Sequence, residues 1–284
     1  MTKPHQAELN SLDFGTLKAQ GKKIVMLTAY DYAMARAVAQ TDIDLILVGD
    51  SLGMVVLGYD STLDVKVADM IHHCAAVRRG ATNKFIIVDM PYMSYHLSIE
   101  QSKANAAELL IGGRANAVKL EGGSDSRLKA IEAIVDCEIP VCAHLGLTPQ
   151  SIHKFGGYKV QGKGDKAMQE LLRQAHAVED AGAFMIVLEG IPEELGKLIS
   201  AELSIPTIGI GAGRYTDGQV LVVNDLLGYS GYPAKFVKRY AELDEIIVPA
   251  LQSYAQEVRE GVFPSAEHCY YPIETNTTRS EERS

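Results

Sequence analysis

The 284-residue chain has no tryptophan, six phenylalanines and only four cysteines. It also lacks any apolar stretch near the ~18–20 residues that a membrane-spanning helix needs. Each absence excludes a class. The cysteines stand at 74, 137, 142 and 269, and no two form Cys-x-x-Cys. A disulfide-stapled secreted fold and a thiolate zinc site are therefore not expected. Three of the four lie in segments that read as core, which suits free thiols in a reducing compartment. No run of Lys or Arg occurs, and the formal charge is 27 − 36 = −9. Neither a nucleic acid nor an anionic membrane is an expected partner of such a chain. The opening MTKPHQAELN has no apolar run of the kind a secretory signal carries, so a cytoplasmic location is expected. The Gly-x-Ser-x-Gly elbow of serine hydrolases is also missing.

What is present is a globular composition, 47% hydrophobic and 22% charged, which sets disordered and fibrous classes aside. The length fits two domains of roughly 150 residues or one α/β barrel of about 250. Short apolar runs rich in Val, Ile and Leu predict strands at Ile24–Thr28, Leu45–Gly49, Phe85–Asp89, Ala117–Glu121, Pro140–His144, Phe184–Glu189, Pro206–Gly209 and Gln219–Val223. They show little polar alternation, the mark of parallel strands buried on both faces.

Helical spacing fills the intervals. Val67, Met70, Ile71, Cys74 and Val77 form one stripe, and Leu128, Ile131, Ile134 and Val135 another. A third runs through Met168, Leu171, Leu172, Ala175 and Val178, with Asp165 as expected N-cap and Gly182 as stop. Ser98-x-x-Gln101 reads as a capping box opening a helix that ends before Gly112–Gly113, and Pro192 suits a helix's first turn. Leu243, Ile246, Ile247, Ala250, Leu251, Tyr254 and Val258 mark a long last helix.

Eight strands alternating with helices predict a single-domain (β/α)₈ TIM barrel, with a doubly wound open sheet as the other arrangement that uses this alternation. The expected boundaries are an N-terminal arm or helix over 1–23, the barrel over 24–264, and a polar, disordered tail over 265–284. The stretch from Gly146 to Gly164 has no clear period and is too long for an ordinary connection, so a functional loop that closes over the barrel mouth is expected there.

The chemistry lies in how the strands end. LILVGD ends in Asp50, followed by Ser51; FIIVDM carries Asp89; AVKLEGG carries Lys119 and Glu121; PVCAHLG carries His144; FMIVLEG carries Glu189. In a parallel barrel these ends share one face, where active sites form. Residues i and i+2 of a strand share a side, so Lys119 and Glu121 can both enter the mouth. Taken singly, each has a plain explanation: a helix cap, a core histidine, a lysine reaching solvent. Packing alone does not ask for acids at the ends of four strands together with a lysine and a histidine. Gathered carboxylates repel unless a cation sits among them, and oxygen donors without a Cys set or a His pair favour Mg²⁺ over Zn²⁺.

Other motifs fail on detail. Gly157-x₄-Gly162-Lys163 nearly makes a phosphate loop, but Gly164 stands where Ser or Thr would bind metal. Gly209-x-Gly211-x-Gly213 misses the dinucleotide spacing; it offers either backbone N–H groups to an anion or a plain tight turn. His72 and His73 are adjacent on a helix and point apart.

The strings LTAYDY, VGDSLGMVVLGYDSTL, VKLEGG, HLGLTPQS, FGGYKVQGKG and GIGAGRYTDGQVLV resemble the ketopantoate hydroxymethyltransferase family, in order, from about residue 20 to about 268. The resemblance implies a (β/α)₈ barrel that transfers a one-carbon unit from 5,10-methylenetetrahydrofolate to 3-methyl-2-oxobutanoate, giving 2-dehydropantoate on the way to pantothenate and coenzyme A. It maps Mg²⁺ ligation to Asp50 and Asp89, with Glu121 a direct or water-mediated partner. It maps substrate contacts to Asp50, Ser51, Asp89 and Lys119, with His144 a further hydrogen-bonding partner, and the proton-abstracting base to Glu189. It implies a homo-oligomer, as large as a decamer. The chemistry is coherent: a 2-oxo acid can chelate Mg²⁺, which polarises the keto oxygen and stabilises the enolate formed when C3–H is lost. Another Mg²⁺-dependent enzyme of oxo-acid enolates, a lyase or mutase on a similar barrel, would share that metal site. A barrel kept as a non-catalytic subunit would have no need of it.

Overall fold

A computed structural model describes residues 9–231 and 234–271. The eight strands are β1 Ile24–Thr28, β2 Leu45–Val48, β3 Phe85–Asp89, β4 Ala117–Glu121, β5 Val141–Gly146, β6 Met185–Glu189, β7 Thr207–Ile210 and β8 Gly218–Leu221. They pair in parallel in sequence order, and β8 returns to β1, closing a barrel. The open-sheet alternative is thereby excluded. The strand forecasts differ only at their ends; β5 runs two residues past His144 because Leu145 and Gly146 still pair with Leu188 and Glu189.

The helices are α1 Ser11–Ala19, α2 Tyr32–Val38, α3 Leu52–Val55, α4 Val67–Gly80, α5 Ile99–Gly113, α6 Asp125–Val135, α7 Ile152–Phe155, α8 Asp165–Asp180, α9 Glu193–Glu202, α10 Val223–Leu226 and α11 Leu243–Glu260. The apolar stripes read from sequence are the faces they bury: Met70, Cys74 and Val77 in α4, Ile131 and Ile134 in α6, Leu171, Ala175 and Val178 in α8. Two apolar layers result. One lies between strands and helices. The other fills the barrel with Met26, Leu45, Leu47, Ile87, Cys142, Met185, Val187, Ile208 and Val220. Phe14 of α1 joins this inner layer, fully buried, with its ring centroid 5.1 Å from Phe85 and 6.3 Å from Phe184. Phe14 of α1 thus completes a floor of three aromatic rings with Phe85 of β3 and Phe184 beside β6.

Several helix ends depart from expectation. Helix α5 continues through Gly112 and Gly113 to Arg114, which caps it in the left-handed region at φ 58°. The glycines stay helical because α4 packs there: a Cβ on Gly113 would meet the Cβ of Cys74 at 3.1 Å, and one on Gly112 would meet Ile71 at 3.1 Å. Ser98 caps α5 by accepting from the Gln101 N–H at 3.1 Å, but the return arm of the box is missing and Gln101 Oε1 accepts no hydrogen bond. Asp165 is the first helical residue of α8 and Gly164 holds the cap position. Pro192 is the N-cap of α9. Of the cysteines, all free, only Cys74 and Cys142 are buried; Cys137 and Cys269 are exposed.

Residues up to Tyr240 form one compact unit and those from Ala241 another. The second holds α11, none of whose side chains is buried, and a 3₁₀ turn at Ala266–His268. The expected disordered tail lies from residue 272 onward outside the described residues, as does the arm over residues 1–8. No helix among the described residues is long and apolar enough to cross a membrane.

Candidate active site

Asp50, Ser51, Asp89, Lys119, Glu121, His144 and Glu189 all line one cavity of about 890 Å³ at the carboxyl ends of the strands. The barrel register does this. Asp89 stands beside Lys119 across β3 and β4, and Glu121 beside His144 across β4 and β5. Asp50 and Ser51 follow β2 in the turn into α3. Gly49 keeps that turn uncrowded: a Cβ would come within 2.9 Å of Ser51 Oγ and 3.5 Å of Asp89 Oδ2. The Asp50 N–H can therefore donate to Asp89 Oδ2 at 3.0 Å.

The site is a buried charge array. Lys119 Nζ lies 2.7 Å from Asp89 Oδ1. His144 sits between two acids, Nδ1 3.5 Å from Glu121 Oε1 and Nε2 3.3 Å from Glu189 Oε2. Burial opposes a charge on Lys119, yet Asp89, Glu121 and Asp50 outweigh it and hold the ammonium charged well above its usual range. Burial and Lys119 likewise oppose protonation of His144, but Glu121 and Glu189 push it up to about 9. Lys119 Nζ also approaches His144 Nδ1 at 3.4 Å, and the buried His144 Nε2 makes no hydrogen bond beyond its 3.3 Å approach to Glu189. Asp50 is the counterpart: burial first, then Asp89 and Glu121, raise its carboxyl well above the usual range. Four carboxyl groups thus face one lysine and one histidine.

Gln150, Tyr95 and Tyr30 were not singled out by sequence. Gln150, in the 3₁₀ turn Pro149–Ser151 after β5, is buried. Its side-chain amide donates to Asp50 Oδ2 at 2.7 Å and to the Met90 carbonyl at 3.0 Å. Its backbone N–H donates to Glu121 Oε2 at 3.0 Å, and its Oε1 accepts from the Tyr95 hydroxyl at 2.6 Å. That hydroxyl accepts the Glu121 N–H at 3.1 Å. Tyr30 holds Ser51 through a 2.8 Å hydroxyl pair. These residues are neutral and end no strand, so charge and periodicity gave no signal for them; Gln150 stood unremarked inside HLGLTPQS.

Above the charged floor the cavity turns apolar, with Met54, Tyr158, Val160, Ile210 and Phe236. Tyr158 and Val160 belong to the loop from Gly146 to Gly164, which therefore forms part of the mouth. Gly209 and Ile210 end β7, and the glycines that follow pack against side chains: a Cβ on Gly211 would meet Phe236 at 2.7 Å, and one on Gly213 would meet Glu193 at 2.5 Å.

For a metal, the test is the donor set. Among the described residues no group of three or more His, Cys, Asp or Glu stands in a metal-holding arrangement. Glu121 is engaged by His144 and by Gln150. Asp50 and Asp89 remain as two hard oxygen donors from adjacent strands, and the buried Asp89 Oδ1 accepts no hydrogen bond beyond its ion pair with Lys119. Two carboxylates, with water and a two-oxygen substrate completing the shell, suit Mg²⁺.

The family model of ketopantoate hydroxymethyltransferase matches residues 8–266. The chain belongs to the ketopantoate hydroxymethyltransferase family. It is 55% identical over 259 residues to the 3-methyl-2-oxobutanoate hydroxymethyltransferase of Enterococcus faecalis, covering 91% of this chain and 94% of that protein. It is 54% identical to the enzyme of that name from Listeria monocytogenes, again over 91% and 94%. Among solved structures, 2,3-dimethylmalate lyase, a member of the PEP mutase/isocitrate lyase superfamily, matches with a TM-score of 0.60 at 14% identity, over 92% of this chain and 89% of that one. Phosphonopyruvate hydrolase in complex with oxalate and Mg²⁺ matches at 0.59 and 11% identity, over 91% and 93%. At such identities these two speak for the barrel alone, whereas the hydroxymethyltransferase family is fixed by sequence along nearly the whole chain.

Proposed function

We propose that this chain is a hydroxymethyltransferase that moves a one-carbon unit from 5,10-methylenetetrahydrofolate to 3-methyl-2-oxobutanoate, water supplying the hydroxyl, so that 2-dehydropantoate forms and tetrahydrofolate leaves. The observation that carries the proposal is the convergence of Asp50, Asp89, Lys119, Glu121, His144 and Glu189 on one cavity, in a chain more than half identical to enzymes of that name. The lyase and mutase reading rests on fold likeness below 17% identity and is not favoured.

Mg²⁺ bound at Asp50 and Asp89 would supply Lewis-acid polarisation of the substrate's keto oxygen. Lys119, fixed by Asp89, presents a permanent positive charge to the substrate carboxylate or to the enolate oxygen. Glu189 removes the C3 proton. Its side chain is 15% exposed while its neighbours on the floor are nearly sealed, so it can return that proton to water. His144 holds Glu189 in place from below. Ser51, steadied by Tyr30, offers a hydroxyl to the acid. The apolar upper cavity takes the folate ring, whose flat heterocycle needs such a slot.

A homo-oligomer is part of this reading. Helix α11 exposes Ile246, Leu251, Tyr254 and Val258 along its length, apolar area that a second copy would cover. A cytoplasmic setting accords with four free cysteines. The test is a coupled assay with 3-methyl-2-oxobutanoate and methylene-folate, with and without added Mg²⁺. Product should form only with the metal, and Asp50→Ala and Asp89→Ala should lose at least tenfold in metal-dependent oxo-acid binding by titration calorimetry. Turnover of the oxo acid without folate would instead favour a lyase.

A further inference from the structure

We infer that Gln150 is the positioning residue of the metal site: it selects which oxygen of Asp50 and which oxygen of Glu121 face the cavity. The inference rests on the Mg²⁺ reading above. Its basis is one fully assigned hydrogen-bond chain. The Met90 carbonyl, 3.0 Å away, can only accept, so the amide nitrogen of Gln150 must face it, which leaves Gln150 Oε1 to accept from the Tyr95 hydroxyl at 2.6 Å while that hydroxyl's oxygen accepts the Glu121 N–H. That fixes the amide's orientation without ambiguity. The two hydrogens on Nε2 are then committed to Asp50 Oδ2 and the Met90 carbonyl.

The consequence is geometric. Asp50 Oδ2 is taken by a neutral donor and its Oδ1 is left for a cation. Glu121 Oε2 is taken by the Gln150 N–H, and its Oε1 is left to face His144. One residue thereby ties the ends of β2, β3 and β4 to the root of the loop that carries Tyr158. A carboxylate at position 150 could not serve, because it would have no hydrogen for Asp50 and would add a fifth acid. A shorter amide would not span from Tyr95 to Asp50. Orientation of a ligating carboxylate by such a partner commonly governs metal affinity by tenfold or more.

The test compares wild type, Gln150→Leu and Tyr95→Phe by calorimetric titration of Mg²⁺ into protein saturated with 3-methyl-2-oxobutanoate. C3 proton exchange with deuterated solvent is followed beside it, without folate. Gln150→Leu should raise the half-saturating Mg²⁺ about tenfold, ~1.4 kcal/mol. Its exchange rate should recover to within about threefold of wild type at saturating metal, a recovery that general damage to the site would not show. Tyr95→Phe keeps Gln150 but frees its amide, and should raise half-saturation by about three- to fivefold. An unchanged half-saturation in folded Gln150→Leu overturns the inference, and so does exchange that saturating Mg²⁺ fails to restore. If Gln150→Leu does not fold, an unchanged Tyr95→Phe overturns it equally. Absence of metal-dependent oxo-acid binding in the wild type would instead remove the Mg²⁺ reading itself, and this inference with it.

Discussion

Glu189 differs from the other acids of the site in its surroundings. Asp50, Asp89 and Glu121 are buried and engaged by Gln150, by Lys119 and by one another's backbone. Glu189 touches His144 at 3.3 Å and otherwise faces the open cavity. This is the difference expected between groups that hold and a group that reacts. Replacing Glu189 with Gln keeps size and hydrogen bonding but removes the base. Oxo-acid binding with Mg²⁺ should stay within about threefold, while C3 proton exchange falls about 10²–10⁴-fold, the usual worth of a general base. NMR in deuterated buffer measures it, and wild-type exchange in the variant would take the base role from Glu189. At this scale the sequence was readable where charge ended a strand, because the barrel's parallel register sends all such ends to one face. Gln150 and Tyr95 were not readable: an uncharged side chain shows its role only through partners 26 to 100 residues away.

Among the elements, strands were legible and helix ends less so. A run such as FIIVD can only be a buried strand in this alternation, and β3 has the range predicted. Helix boundaries depend on what packs beside them. Gly112 and Gly113 look like stops, yet the helix continues through them, where a Cβ on either would crowd Ile71 or Cys74 of α4 at 3.1 Å. Joints between elements carry their own pH dependence. Glu179, near the end of α8, accepts from the N–H and hydroxyl of Ser204, each at 2.6 Å, and from the Ile205 N–H at 3.0 Å, just before β7. Burial opposes its charge, but these donors outweigh that and bring its carboxyl below the usual 4.5. A carboxyl lowered by folding stabilises the fold fully above its unfolded value, and that contribution fades as pH falls through the folded one. Thermal melts of wild type should therefore lose stability below pH about 4.5 more steeply than melts of Glu179→Gln. Equal slopes would deny Glu179 this part.

Across the whole molecule, the barrel is stapled at its amino end by a residue from outside it. Phe14, from the first helix, is fully buried against Phe85 and Phe184. Phe14→Ala should cost about 3–5 kcal/mol in urea unfolding, the usual loss for a buried ring that leaves a cavity. Methylene-folate turnover by the surviving folded fraction should stay near wild type, because the site lies at the other end. A loss under 1 kcal/mol would mean that α1 is not part of the barrel's core. The sequence announced a leading helix but not its use, since of its apolar residues Leu12 is exposed while Phe14 and Leu17 pack against the inner core, a choice that the short stripe alone does not reveal.

The aromatic floor also dictates traffic. Phe14, Phe85 and Phe184 pack together at the amino end of the barrel, while the cavity at the carboxyl ends of the strands is lined by charged and by apolar side chains. On the proposed reading, with the acid held at the charged residues and the folate at the apolar ones, the acid enters before the carrier and the carrier leaves before the lengthened acid. Steady-state kinetics should therefore show compulsory order: 2-dehydropantoate competing with 3-methyl-2-oxobutanoate, and spent folate competing with neither substrate. Competition between spent folate and the oxo acid would reveal a second way in.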